Sequence, residues 1–116
     1  TLTPTKDRDI ETIMVRATAA QQQLYYIDIN STGDQGNGLS IISDPCGEVI
    51  HQSADREDIF IIEICSDHVE EVRKEGIYKL GQPIKSFRDH PYFKNSYTMN
   101  SEYLDSLGKL KKPDKQ

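Results

Sequence analysis

At 116 residues the chain has the size of one small domain. Its apolar content of 35% and the lack of any apolar run near the ~18–20 residues of a bilayer span exclude a membrane-spanning segment. A net charge of −5 argues against nucleic-acid binding, and 2 cysteines are too few for a disulfide framework, so a cytoplasmic protein is expected.

The chain opens at Thr1 without a methionine, and Thr1 to Asp9 lacks the charged and apolar regions of a secretory leader. A fragment, a processed product or a truncated gene product is the expectation. Thr5 to Gln23 reads as a helix. Ile10, Ile13, Met14, Ala17, Ala20 and Leu24 recur at spacings of three and four and draw one apolar stripe. Arg8, Glu11, Thr12, Arg16 and Gln22 fall off it, and Thr5 or Asp7 is placed to cap it.

Leu24 to Asn30 changes to strand chemistry, with Tyr25, Ile27 and Ile29 on one face and Tyr26, Asp28 and Asn30 on the other. A glycine-rich loop, Ser31 to Gly38, leads into a short strand at Leu39 to Ser43. Asp44-Pro45-Cys46-Gly47 has the composition of a type I turn, and Glu48 to Ser53 returns as its hairpin partner. Ile59-Phe60-Ile61-Ile62-Glu63-Ile64 is almost continuously apolar and predicts a fourth strand buried on both faces. Ser66 opens a second helix that Gly76 ends. Beyond Tyr78 no period holds, so an extended tail is expected, with Phe87, Tyr92, Phe93, Tyr97 and Tyr103 along it. The lysines near its end, Lys109, Lys111, Lys112 and Lys115, read as solvated.

These elements predict an α+β fold in which residues 24–64 form a four-stranded antiparallel meander with both helices on one face. A doubly buried strand and an aromatic tail need a second layer from elsewhere.

Three blocks carry a resemblance. Arg16-Ala17-Thr18-Ala19 through Asn30 is similar to the R-A-R-A-x-E-N-x-x-Y-V-x-x-x-N stretch of nitrilase-superfamily carbon–nitrogen hydrolases. Gly38 through Ile50 looks like their G-H-S-x-I-x-D-P-x-G-E-V-L, and Gly81 through Asp89 resembles the tail of amidase-like members. The chain offers Gln21-Gln22 where the family usually has Glu-Asn, and Leu39 where it has His.

The resemblance implies the second half of a four-layer α-β-β-α sandwich, with residues 1–77 as half of the hydrolase domain and residues 78–116 as its tail. It implies a small amide, carbamoyl amine or nitrile substrate, no cofactor, and a homo-oligomer built through the first helix and the tail. Catalysis in the family rests on a Glu base, a Lys and a Cys nucleophile that precede the R-A-x-A helix, so no residue here is assigned a catalytic role. The alternative is a non-catalytic truncated module that assembles with a full-length subunit. A third is an unrelated small α+β binding domain.

Asn30, matching the family's strand-end asparagine, is the substrate-pocket candidate; its plainer role is to hydrogen-bond the glycine-rich loop. Ile64-Cys65-Ser66-Asp67 imitates the nucleophile signature but follows the helix it should precede, so Cys65 reads as a buried structural thiol. Cys46 reads as a loop residue. Cys65 and His68, with His51 and His90, give one Cys-x-x-His pair and no second pair, and no metal site is expected. Ser40 lacks an adjacent histidine for a serine triad.

Overall fold

The computed structural model describes residues 8–92 and 102–112. The chain divides into two compact units, Thr1–Val69 and Glu70–Gln116. Among the described residues the elements are α1 (Arg8–Gln22), β1 (Tyr26–Asp28), a 3-10 turn (Gly33–Gln35), β2 (Ile41–Ser43), β3 (Val49–Gln52), α2 (Ser66–Glu75), α3 (Pro83–Asp89) and α4 (Glu102–Ser106). This is a mixed α+β chain. Thr5 and Asp7, the expected caps of the first helix, lie outside the described residues, as do Phe93, Tyr97 and Lys115.

In the first unit β1, β2 and β3 form an antiparallel sheet in that order. Asp28 lies opposite Ile41 and Ile41 opposite Gln52; Ile27 lies opposite Ile42 and Ile42 opposite His51. Directly opposed residues share a face, so Asp28 and Ile41 lie on one side and Ile27, Ile42 and His51 on the other. Helix α1 packs on β1 and β2. It lies on the Asp28 side, because Arg8 pairs with Asp28 at 2.7 Å.

The face α1 buries is not the predicted stripe. Arg8, Val15 and Ala19 are buried, while Ile10, Ile13 and Met14 are 55%, 60% and 61% exposed. The anchors at its two ends set the rotation of the helix. Near the start, Arg8 also pairs with Glu11 at 2.8 Å and donates to the Leu39 carbonyl at 2.8 Å. A buried guanidinium costs several kcal/mol unless it is paired, and these partners offset that cost. Further along, Arg16 Nε donates to the Gly47 carbonyl at 2.9 Å. With both arginines turned to the sheet, Val15 and Ala19 follow them inward. Burial of a valine or isoleucine side chain stabilises by ~1.5–3 kcal/mol, and the core of this unit is Val15, Ala19, Ile41 and Ile42.

The expected fourth strand is absent among the described residues: 53–65 forms no ladder. Ile59 and Ile61 are 97% and 98% exposed, whereas Phe60 and Ile62 are half-buried. Three side-chain contacts account for this. His51 pairs with Asp58 at 2.9 Å, the His51 ring stacks on Phe60 at 4.0 Å, and the Cys65 N–H donates to the Tyr25 hydroxyl at 3.4 Å. His51 lies on the face opposite α1, and Tyr25 continues the Ile27 side of β1. The segment therefore runs across that face from β3 toward β1 instead of adding an edge, and Ile42 beneath it is 1% exposed. Cys65 is exposed, which corrects its reading as a buried thiol. Of the second helix expected on the sheet, this unit contains the first turn of α2, whose His68 reaches Asp44 at 3.3 Å.

The second unit replaces the extended tail with two short helices. Pro83 opens α3 at its first turn, where a missing N–H costs nothing. Helix α4 packs against α3. Arg88 donates to the carbonyls of Leu104 at 2.6 Å and Gly108 at 2.8 Å. Gln82 Nε2 donates to the Lys79 and Lys111 carbonyls, and its Oε1 accepts from the Lys111 N–H at 3.1 Å. Lys85, 1% exposed, donates to the Lys74 carbonyl and, at 3.2 Å, to that of Lys109. Burial pushes its amine below the ordinary lysine value. Polar side chains bonded to main-chain carbonyls thus order a segment that apolar periodicity leaves blank. Lys111 is not simply solvated, because it pairs with Glu75. No helix among the described residues is long and apolar enough to cross a membrane.

Candidate functional site

A cleft of about 540 Å³ opens in the first unit where β1 gives way to the glycine-rich loop, and Asn30, Ser31, Ser40, Ser53, Arg56 and Phe60 are among its lining residues. The loop is shaped by backbone geometry that a side chain resists. Gly38 has φ +64°, and a Cβ there would lie 2.6 Å from the Asp55 Cα. Its N–H donates to the Ser31 carbonyl at 2.8 Å, and the next residue, Leu39, donates to the Ala54 carbonyl at 3.1 Å. Residues 31–40 and 53–55 are thereby bound together as the cleft wall.

Asn30 is buried at that wall. Its N–H donates to Ser40 Oγ at 3.0 Å, Ser40 Oγ donates back to the Asn30 carbonyl at 3.2 Å, and Asn30 Nδ2 donates to the Gly38 carbonyl at 2.8 Å. The side-chain carbonyl, Oδ1, is buried without a protein partner. The plainer of its two expected roles is the one seen: the side-chain amide nitrogen holds the glycine-rich loop through the Gly38 carbonyl. Ser40 serves this bracket. Asp58 and Phe60 at the rim carry His51 through the hydrogen bond and stacking already described.

At the far end of β2 the hairpin turn forms as the sequence implies. The Gly47 N–H donates to the Asp44 carbonyl at 3.0 Å, and Asp44 Oδ1 accepts from the N–H groups of Cys46 at 2.9 Å and Glu48 at 2.8 Å. Gly47 has φ +83°, and a Cβ there would stand 3.1 Å from the Arg16 carbonyl oxygen and 3.2 Å from Ala20 Cβ. Asp44, Cys46 and His68 are brought together here, one ligand-type atom of each lying within 4.8 Å of the others. His68 therefore meets Cys46 rather than Cys65, its neighbour in sequence. No spacing rule reveals that trio, because its members come from a turn and from a helix twenty-four residues on.

No known family, curated protein or solved structure matches the chain. The functional reading accordingly rests on the motif blocks and on the geometry of the cleft.

Proposed function

We propose that this chain is the C-terminal portion of a carbon–nitrogen hydrolase of the nitrilase kind, acting on a small amide, carbamoyl amine or nitrile through a cysteine nucleophile upstream of it. The observation that carries the reading is that the first two motif blocks meet. Arg16, from the R-A-x-A block, bonds the carbonyl of Gly47, from the D-P-x-G block, and Ala20 lies against the same glycine. Two stretches that resemble one family in order are thus also complementary in contact. Asn30 supports the substrate class, since its buried Oδ1 wants an N–H donor, which an amide or carbamoyl group supplies.

In this reading the upstream cysteine attacks the carbonyl or nitrile carbon. The C–N bond breaks with proton transfer to the leaving nitrogen, for a nitrile after water has added to the thioimidate, and a further water hydrolyses the thioester to free the acid and the thiol. Asn30 orients the substrate amide and the Gly38 loop shapes the pocket. No cofactor, nucleic acid or membrane takes part, and the setting is cytoplasmic. The outward residues of α1, Ile10, Ile13 and Met14, are the surface through which copies associate, with the tail.

The test is Asn30→Ala in the protein made from the complete reading frame, with ammonia release followed on a panel of amides, carbamoyl amines and nitriles. Loss of one substrate hydrogen bond should lower kcat/KM about 10–100-fold, or ~1.4–2.7 kcal/mol. An unchanged kcat/KM in a folded variant would remove Asn30 from the site.

A further inference from the structure

We infer that Asp44, Cys46 and His68 form a binding site for a borderline-soft divalent cation such as Zn2+, three protein ligands leaving a fourth position open. The site goes beyond the hydrolase reading and lies apart from the cleft: Ser40 precedes β2 and Asp44 follows it, and none of the three lines the cleft.

The donor set is the first argument. A carboxylate, a thiol and an imidazole are the side chains Zn2+ prefers, and three protein ligands with an open position is the arrangement of zinc sites that keep a water or a ligand. The spacing is the second. Zn–N and Zn–O bonds of ~2.0–2.2 Å at tetrahedral angles place neighbouring donors ~3.3–3.5 Å apart. His68 Nε2 and Asp44 Oδ2 are 3.3 Å apart. With a Zn–S bond of ~2.3 Å the thiolate belongs ~3.5 Å from each of them, and one ligand-type atom of each residue, the Cys46 Sγ included, already lies within 4.8 Å of the others. A small side-chain adjustment of Cys46 completes the set.

Pre-organisation is the third argument. The N–H groups of Cys46 and Glu48 hold Asp44 Oδ1, which leaves Oδ2 toward His68. The Tyr25 ring stands edge-on to the imidazole, with centroids 6.4 Å apart at 63°. All three ligands are half-buried, so they are partly screened yet reachable. Binding is a substitution without redox change: the thiol S–H bond breaks, its proton passes to buffer, and a Zn–S bond forms while His68 coordinates as neutral imidazole.

The test uses the full chain with Zn2+ and with Co2+ as a spectroscopic probe. The expected result is a single equivalent bound, with a thiolate-to-Co2+ charge-transfer band that Zn2+ displaces, and a calorimetric enthalpy that varies with the buffer's ionisation enthalpy, as proton release requires. Loss of an outer-shell partner costs ~10–100-fold in affinity, so Cys46→Ser and His68→Ala should each weaken binding by roughly 100-fold or more. Cys65→Ser should leave it unchanged. In case a variant fails to fold, alkylation of the wild-type chain gives an independent reading: Zn2+ should protect Cys46 and leave Cys65 reactive. Absence of the band, or its loss in Cys65→Ser with retention in Cys46→Ser, would overturn the site and leave His68 and Asp44 as a hydrogen-bonded pair only. Equal alkylation of both cysteines in saturating Zn2+ would do the same.

Discussion

Gly47 joins a turn to a helix. Its backbone is left-handed at φ +83°, and the space where a side chain would begin is already taken up by the Arg16 carbonyl and Ala20. An L-residue pays ~1–2 kcal/mol for that conformation, and the tight contact adds to it. Gly47→Ala should therefore lower the urea-unfolding free energy by at least ~1–2 kcal/mol, through both the hairpin and α1. Unchanged stability would mean that neither the turn geometry nor the helix contact matters. At this scale the sequence was informative where chemistry is local. Asp44, Pro45 and Gly47 spell out their turn, Gly76 ends α2 with its N–H on the Val72 carbonyl at 2.8 Å, and Asn30 brackets the loop that follows it. It was silent on the burial of Arg8, which falls off the apolar stripe yet is buried between Asp28, Glu11 and the Leu39 carbonyl. It was silent too on the approach of His68 to Cys46, because those partners are distant in sequence.

Elements were legible in place but not always in environment. The first helix, the three paired strands and the start of the second helix fall where hydrophobic period and turn chemistry put them. The apolar stripe on α1 was legible as a stripe, but the residues that pack on the sheet, Arg8, Val15 and Ala19, were not, since periodicity identifies a face without saying which neighbour it meets. The run Ile59 to Ile64 shows the same limit: an apolar segment suits a doubly buried strand, but the contacts at His51 and Tyr25 draw it across the sheet rather than onto an edge. In the second unit, Glu75 at the end of α2 accepts a hydrogen bond from Lys111, which holds its carboxyl below the ordinary 4.5. A depressed folded-state value favours folding above the unfolded value, and that contribution disappears as pH falls through the folded one. Wild type should thus exceed Glu75→Gln in thermal midpoint near neutral pH, and the gap should close in acid below 4.5. A gap of the same size at both ends of the titration would show that the pair does not carry it.

For the whole molecule, exposed apolar surface is the main feature. Ile10, Ile13 and Met14 are exposed together on α1, and Ile59 and Ile61 on the crossing segment are almost fully exposed. Association through α1 predicts an oligomer in light scattering at micromolar concentration, shifted toward monomer by Ile13→Glu. A monomeric wild type would reject that interface. The proposal that this chain serves a hydrolase whose nucleophile lies elsewhere is tested most directly by ammonia release, measured side by side for the purified chain and for the product of the complete reading frame. The account predicts no turnover by the chain alone and iodoacetamide-sensitive turnover of an amide, carbamoyl amine or nitrile by the complete protein. Turnover by the chain alone that vanishes in Cys65→Ala, or no turnover by the complete protein on any of the three classes, would contradict it.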